Sequence, residues 1–89
     1  MEEKIRVKTR DGQTWEIYVI MTFQVENYPD DYMAYTFGEK NGENITSFIS
    51  KMKEDNNTIT LDSIQDPKEW TSVKRCFEEL IKNGGEVEC

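Results

Sequence analysis

Asp66-Pro67-Lys68-Glu69-Trp70-Thr71-Ser72-Val73-Lys74-Arg75-Cys76-Phe77-Glu78-Glu79-Leu80-Ile81 is the stretch whose reading decides the fold class. Its start is that of a helix. Asp66 stands as N-cap, Pro67 takes the first helical position, where its missing N–H has no partner to lose, and Glu69 is placed to close a capping box. Trp70, Val73, Phe77, Leu80 and Ile81 then recur at spacings of three and four, which makes one apolar stripe with Cys76 at its border. Gly84-Gly85 stops the helix. A helix of about fifteen residues is marginal alone in water, so the stripe needs a sheet to lie on. With Trp70 and Phe77 both read as core anchors, removing either ring is expected to cost about 3–5 kcal/mol.

Upstream, the periodicity falls to two, the spacing of strands. From Lys4 to Arg10, Ile5 and Val7 face one way and four bases face the other. Bases on the outer face suit an edge strand guarded against edge-to-edge pairing, with a phosphate-binding stripe as the functional alternative. Asp11-Gly12 is a hairpin signal. The next strand runs from Thr14 to Val25 and puts Trp15, Ile17, Val19, Met21, Phe23 and Val25 on one face; its length implies a bend or bulge. After the turn around Pro29, a third strand covers Tyr32 to Phe37. A loop centred on Asn41-Gly42 leads to a fourth strand, Ile45 to Lys53, and Glu54-Asp55-Asn56-Asn57 turns into a fifth, Thr58 to Ile64. These connections are too short for parallel crossovers. The chain therefore predicts an α+β fold: an antiparallel meander sheet of about five strands packed by one C-terminal α-helix, on the face of Trp15, Ile17, Val19 and Met21. One domain spans residues 1–85, and residues 86–89 form a short tail.

Composition narrows the chemistry. With 89 residues, 18 acids, 11 bases and a net charge of −7, the chain repels phosphate backbones and anionic lipid surfaces. No direct nucleic-acid binding and no membrane association are expected. No apolar run approaches the ~20 residues of a membrane span, and the charged start Met1-Glu2-Glu3-Lys4 is no signal peptide, so a cytoplasmic location is expected. Cys76 and Cys89 read as a half-buried and a mobile thiol in a reducing compartment. The chain has no histidine, which removes histidine-based nucleophile pairs and imidazole metal sites. The acids cluster in turns such as Asp11, Asp30, Asp31, Glu54 and Asp55, where they initiate turns in solvent. The turns at 26–31 and 54–57 lack calcium-loop spacing. No catalytic, metal-ligating or cofactor-binding residues are expected, and the protein reads as a non-enzyme.

Surplus aromatics are the suggestive feature. Tyr18, Tyr28, Tyr32 and Tyr35 cannot all enter so small a core. Tyr18, Ile20, Tyr32 and Tyr35, with the acidic Asp30 and Asp31 beside them, read as an exposed protein-interaction surface, since Tyr is enriched at interfaces. The structural alternative is cross-strand packing of those rings. The function that follows is a small acidic protein-interaction or regulatory module with an unknown protein partner. The alternative is an acidic, phage-type mimic of nucleic acid that blocks a DNA- or RNA-binding protein. Self-association as a homodimer through an edge strand stays open.

Lys4-Ile5-Arg6-Val7 with Asp11-Gly12, then Phe23, Tyr32-Met33-Ala34-Tyr35, and Ile64-x-Asp66-x-x-Glu69-Trp70-x-x-Val73 with Phe77, resemble the YrzB-like proteins. These are the family of domains of unknown function numbered 1292, found in low-GC Gram-positive bacteria. The resemblance covers about residues 3 to 81, and its most specific part is the Asp66…Glu69-Trp70 entry to the helix. It implies a shared fold and brings no activity, cofactor or ligand. The basic first strand and the tail Glu86-Val87-Glu88-Cys89 depart from the family's pattern.

Overall fold

The computed structural model describes residues 4–38, 40, 41 and 44–83. Strands β1 (Lys4–Thr9), β2 (Thr14–Gln24) and β3 (Asp31–Thr36) follow in antiparallel order. A small two-stranded sheet, β4 (Lys40–Asn41) with β5 (Asn44–Ile45), precedes β6 (Phe48–Asp55) and β7 (Thr58–Asp62). Helix α1 (Pro67–Lys82) ends the described chain. The turns use the expected residues. Gly12 has φ of 90° in the β1–β2 turn, and Asn56 and Asn57 both have positive φ (50° and 65°) between β6 and β7. Two consecutive left-handed residues are what a two-residue hairpin needs.

The sheet closes on itself. β1, β2, β3, β6 and β7 form a barrel, with β1 against β7 through Lys8↔Thr60 and Thr9↔Leu61. That closing pair is parallel, so the sheet is mixed, where a purely antiparallel meander was expected. The reason is arithmetic. In an up-and-down meander an odd-numbered fifth strand points the same way as the first, so closure can only be parallel. Closure also corrects the reading of β1 as an edge strand, since its end at Lys8 and Thr9 pairs with β7.

β2 decides how the core divides. Val19 pairs with Tyr35 and Met21 with Ala34, so Ile20 is an extra residue in β2. A bulge of one residue reverses which face each following side chain takes. Ahead of it, Trp15, Ile17 and Val19 join Val7, Met33, Tyr35 and Leu61 inside the barrel. Beyond it, Met21, Phe23 and Val25 join Tyr32, Val73, Cys76 and Leu80 between the barrel wall and the helix. The expected single stripe from Trp15 to Val25 is thus split between two cores. The helix docks on the outer wall of the barrel, and not on the face of Trp15, Ile17 and Val19.

Asp66 caps α1 as expected, its carboxylate accepting from Lys68 N at 2.9 Å, with Pro67 next. The capping box does not form, because Glu69 turns inward and is buried. The buried stripe is Glu69, Val73, Cys76, Phe77 and Leu80. Trp70 (39% exposed) and Ile81 fall outside it. The stripe is rotated because the helix tilts Glu69 toward partners on β3 and β6, which leaves Trp70 at the rim. Phe77 stacks on Phe23 at 6.1 Å between ring centroids. Cys76 is disulfide-bonded, which corrects the reading of a thiol; the chain's other cysteine, Cys89, lies outside the described residues, as do Gly84 and Gly85. The Cys76 sulfur sits 3.9 Å from the Gln24 carbonyl, a packing contact, since a disulfide sulfur carries no proton to donate.

Phe77→Ala is therefore expected to lower stability by about 3–5 kcal/mol, and Trp70→Ala by less than about 1 kcal/mol. Urea denaturation of the two variants beside wild type measures this. Equal losses would mean that Trp70 is buried after all.

Candidate functional site

One end of the barrel collects a group of aromatics, of which Phe37, Phe48 and Trp70 are exposed, Trp15 is half-buried and Tyr35 is buried. β2 starts there with Trp15, β3 ends there with Tyr35 and leads into Phe37, and β6 begins with Phe48. Trp70 reaches the same rim from the first turn of α1. The strand ends meet at this mouth because a meander brings alternate termini to one side. The rings form a connected set. Trp15 meets Phe37 edge-on at 5.5 Å, Phe37 meets Phe48 at 5.5 Å, and Tyr35 stacks on Phe48 at 5.9 Å. Edge-to-face geometry suits the ring quadrupoles and holds the ledge without burying it. Phe48 stays 42% exposed, and Phe37 and Trp70 are similarly open.

Two clefts adjoin at this ledge. A cleft of about 630 Å³ runs between the β1–β2 turn and the end of β7, past Arg10, Gln13, Trp15, Asp62 and Gln65. A second, of about 480 Å³, lies between Phe48 and Trp70 along Ser47 and Ile64. Tyr35, Ser50 and Ser63 line both. Their floor is neutral: the Tyr35 and Ser50 hydroxyls share a hydrogen bond of 2.9 Å. No imidazole is present to take a proton from Ser50. Arg10 pairs with Asp62 at 3.9 Å on the rim, and Asp11 accepts from the Thr9 hydroxyl. Neither tryptophan N–H has an acceptor among the described residues. No cluster of metal-ligating side chains occurs among the described residues.

The expected interaction surface is not assembled. Tyr32 (0% exposed) and Tyr35 (4% exposed) are buried on opposite faces of β3, one beneath the helix and one inside the barrel. Tyr18 lies half-buried on the outer wall under Lys4, whose ammonium is 5.6 Å from the ring centre. Gly38, at φ 87°, lets the chain pass close over that ring: a Cβ there would lie 2.8 Å from Tyr18 Cε2. Ile20 is exposed at the bulge. Asp31 accepts from Gln24 Nε2 at 2.7 Å at the far end of β3. What separates these residues is the two-fold alternation of β3 together with barrel closure, which gives both faces of the strand something to bury.

A second polar centre holds the helix down. Glu69, only 6% exposed, accepts from the Tyr32 hydroxyl at 2.5 Å and faces Lys51 Nζ at 3.3 Å. Lys51 also lies 3.7 Å from Asp30. Burial, and then the hydrogen bond to Glu69, push the Tyr32 pKa far above its usual value. The same carboxylate raises that of Lys51. Position 69 gave no sequence signal for this role, because Glu in a first turn already has a capping explanation. Phe37, Phe48 and Trp70 were missed as surface residues because periodicity gives a face and not a position along the barrel axis.

The model of a family described as a protein of unknown function (DUF1292) matches residues 11–82, and the chain belongs to that family. No curated protein and no solved structure matches it.

Tyr32→Phe should cost about 1–3 kcal/mol at neutral pH, since it strips a donor from a buried carboxylate. It should also change the alkaline limb. Tyr32 and Lys51 both hold their protons more tightly folded than unfolded, so their contribution is complete below pH about 10 and is lost as pH rises beyond it. Urea melts from pH 8 to 11 should show a shallower loss in Tyr32→Phe than in wild type. Parallel curves would remove Tyr32 from the linkage.

Proposed function

We propose that this member of the DUF1292 family is a non-catalytic protein-interaction module that binds its partner at the barrel mouth, through Trp15, Phe37, Phe48 and Trp70. The observation that carries the reading is the ledge of open rings over two adjoining clefts. Exposed aromatic patches of this kind mark interaction sites, and Trp, Tyr and Phe are enriched there. The surface first expected at Tyr18, Ile20, Tyr32, Tyr35, Asp30 and Asp31 gives way to this one, because two of its tyrosines are buried. Absence of histidine and the neutral floor of the clefts support a role without catalysis.

The reading as an acidic mimic has less support. A mimic needs a continuous negative face, whereas bases interrupt the acids in Arg6–Glu16, Arg10–Asp62 and Lys51–Asp30. The proposed location is the cytoplasm. In that reducing compartment the disulfide at Cys76 would open, and Val73, Phe77 and Leu80 would still hold the helix. No helix of the described residues is long and apolar enough to cross a membrane.

Affinity purification of the tagged protein from its host, in low and high salt, beside a Phe48→Ser variant, tests the reading. The expected result is a dominant protein partner that survives high salt and is lost with Phe48→Ser. A partner retained by Phe48→Ser would refute the site. A basic nucleic-acid-binding partner lost in high salt would favour the mimic.

A further inference from the structure

We infer that the cleft between Phe48 and Trp70 takes a single extended, uncharged segment of a partner protein, added as a strand to the free edge of β6. This rests on the interaction reading above and names its mode of binding. β6 reaches further toward the barrel mouth than its neighbour β7. It pairs with β3 from Phe48 to Met52, but with β7 only from Lys51, opposite Asp62, to Asp55. β7 ends at Asp62, and the chain turns away through Ser63 and Ile64 toward α1. Phe48, Ile49 and Ser50 therefore have a ladder partner on the β3 side and none on the other among the described residues. An unpaired ladder makes a specific demand: its N–H and C=O groups are met in register by the backbone of another extended chain.

The cleft lies along that edge. One wall is Phe48, Ile49 and Ser50, and the other is Ser63, Ile64 and Trp70, around a space of about 480 Å³. The walls part where β7 leaves the sheet. A bay with a wall on each side admits one strand and excludes the edge of a second sheet, which brings its own neighbouring strand with it. A lone extended segment fits where β6 of a second copy, already carrying β3, does not.

The lining sets the side-chain chemistry. A third of the chain is charged (33%), yet no charged residue lines this cleft. On a strand beside β6, alternate side chains meet Phe48 on one face and Ile49 with Ile64 on the other, because neighbouring residues of a strand take opposite faces. Aromatic and β-branched residues pair best in such positions, and a charge there is desolvated without a partner. The occupant is an extended run of uncharged aromatic and β-branched residues, held by main-chain hydrogen bonds.

Trp70 stands on the far wall, so intrinsic fluorescence reads occupancy. The experiment is a titration of the full chain with capped Thr-Val-Phe-Val-Thr, beside the same peptide N-methylated at its three central residues. Methylation keeps every side chain and removes the ladder donors. A saturable shift in emission at sub-millimolar peptide is expected, weaker by at least about tenfold for the methylated peptide, since the ladder supplies the affinity. Phe48→Ala should weaken binding about tenfold. Hydrogen exchange should show an amide within residues 48–50 becoming protected when the peptide binds. Circular dichroism of the variant confirms that the fold is retained; should it not fold, the two peptides on wild type decide alone.

Equal binding of the methylated peptide, no new protection in residues 48–50, or no response to the parent peptide would each overturn the inference. So would a dimer of the chain alone, in sedimentation, that Phe48→Ala dissociates, because the edge would then belong to a second copy. If the two peptides bind equally while Phe48→Ser still loses the partner recovered from the host, strand addition falls and the interaction surface stands. If Phe48→Ser loses no partner, both fall.

Discussion

The extra residue at Ile20 is the constraint on which the molecule depends. A regular strand has one buried face, and a helix and a barrel interior would have to compete for it. The shift between Val19 and Met21 removes that competition. The first half of β2 sends Trp15, Ile17 and Val19 into the barrel, and the second half sends Met21 and Phe23 under the helix. One long strand thereby supplies two cores, which is how a chain this short buries enough apolar surface to fold. The bulge is also where the strand bends, as closing five strands into a barrel requires.

The helix is attached in two chemically different ways. Val73, Phe77 and Leu80 supply apolar burial along its middle and end. Near its start, Glu69 ties it to β3 through Tyr32 and to β6 through Lys51. Apolar contact alone tolerates sliding or rotation of a helix over a sheet. A buried carboxylate does not, because leaving either of its oxygens without a partner is costly. Glu69 therefore sets the rotation of α1, and that rotation places Trp70 at the barrel mouth. The residue that secures the helix and the residue left open at the rim are neighbours in sequence with opposite fates.

The aromatic mouth follows from closure. A small barrel has room inside for a few large side chains, and here Ile17, Met33, Tyr35, Val7 and Leu61 fill it. Further rings with inward parity, such as Phe48 and Phe37, fall at strand ends and stack on one another at the opening. The clefts beside them have a hydroxyl floor and charged rims.

Much was legible in the sequence by itself: the helix with its Asp66 cap and Pro67, the strands, the Asp11-Gly12 and Asn56-Asn57 turns, the need for a bulge in β2, and membership of the family. These depend on local periodicity and turn chemistry, which act within a few residues. Only the tertiary structure decided that the sheet closes, that Tyr32 and Tyr35 are both buried, that Glu69 is an anchor and Trp70 a rim residue, and that Cys76 is bonded. Period two states that neighbouring side chains take opposite faces. It cannot state that both faces will be covered, because that depends on which distant segments arrive on each side of the strand.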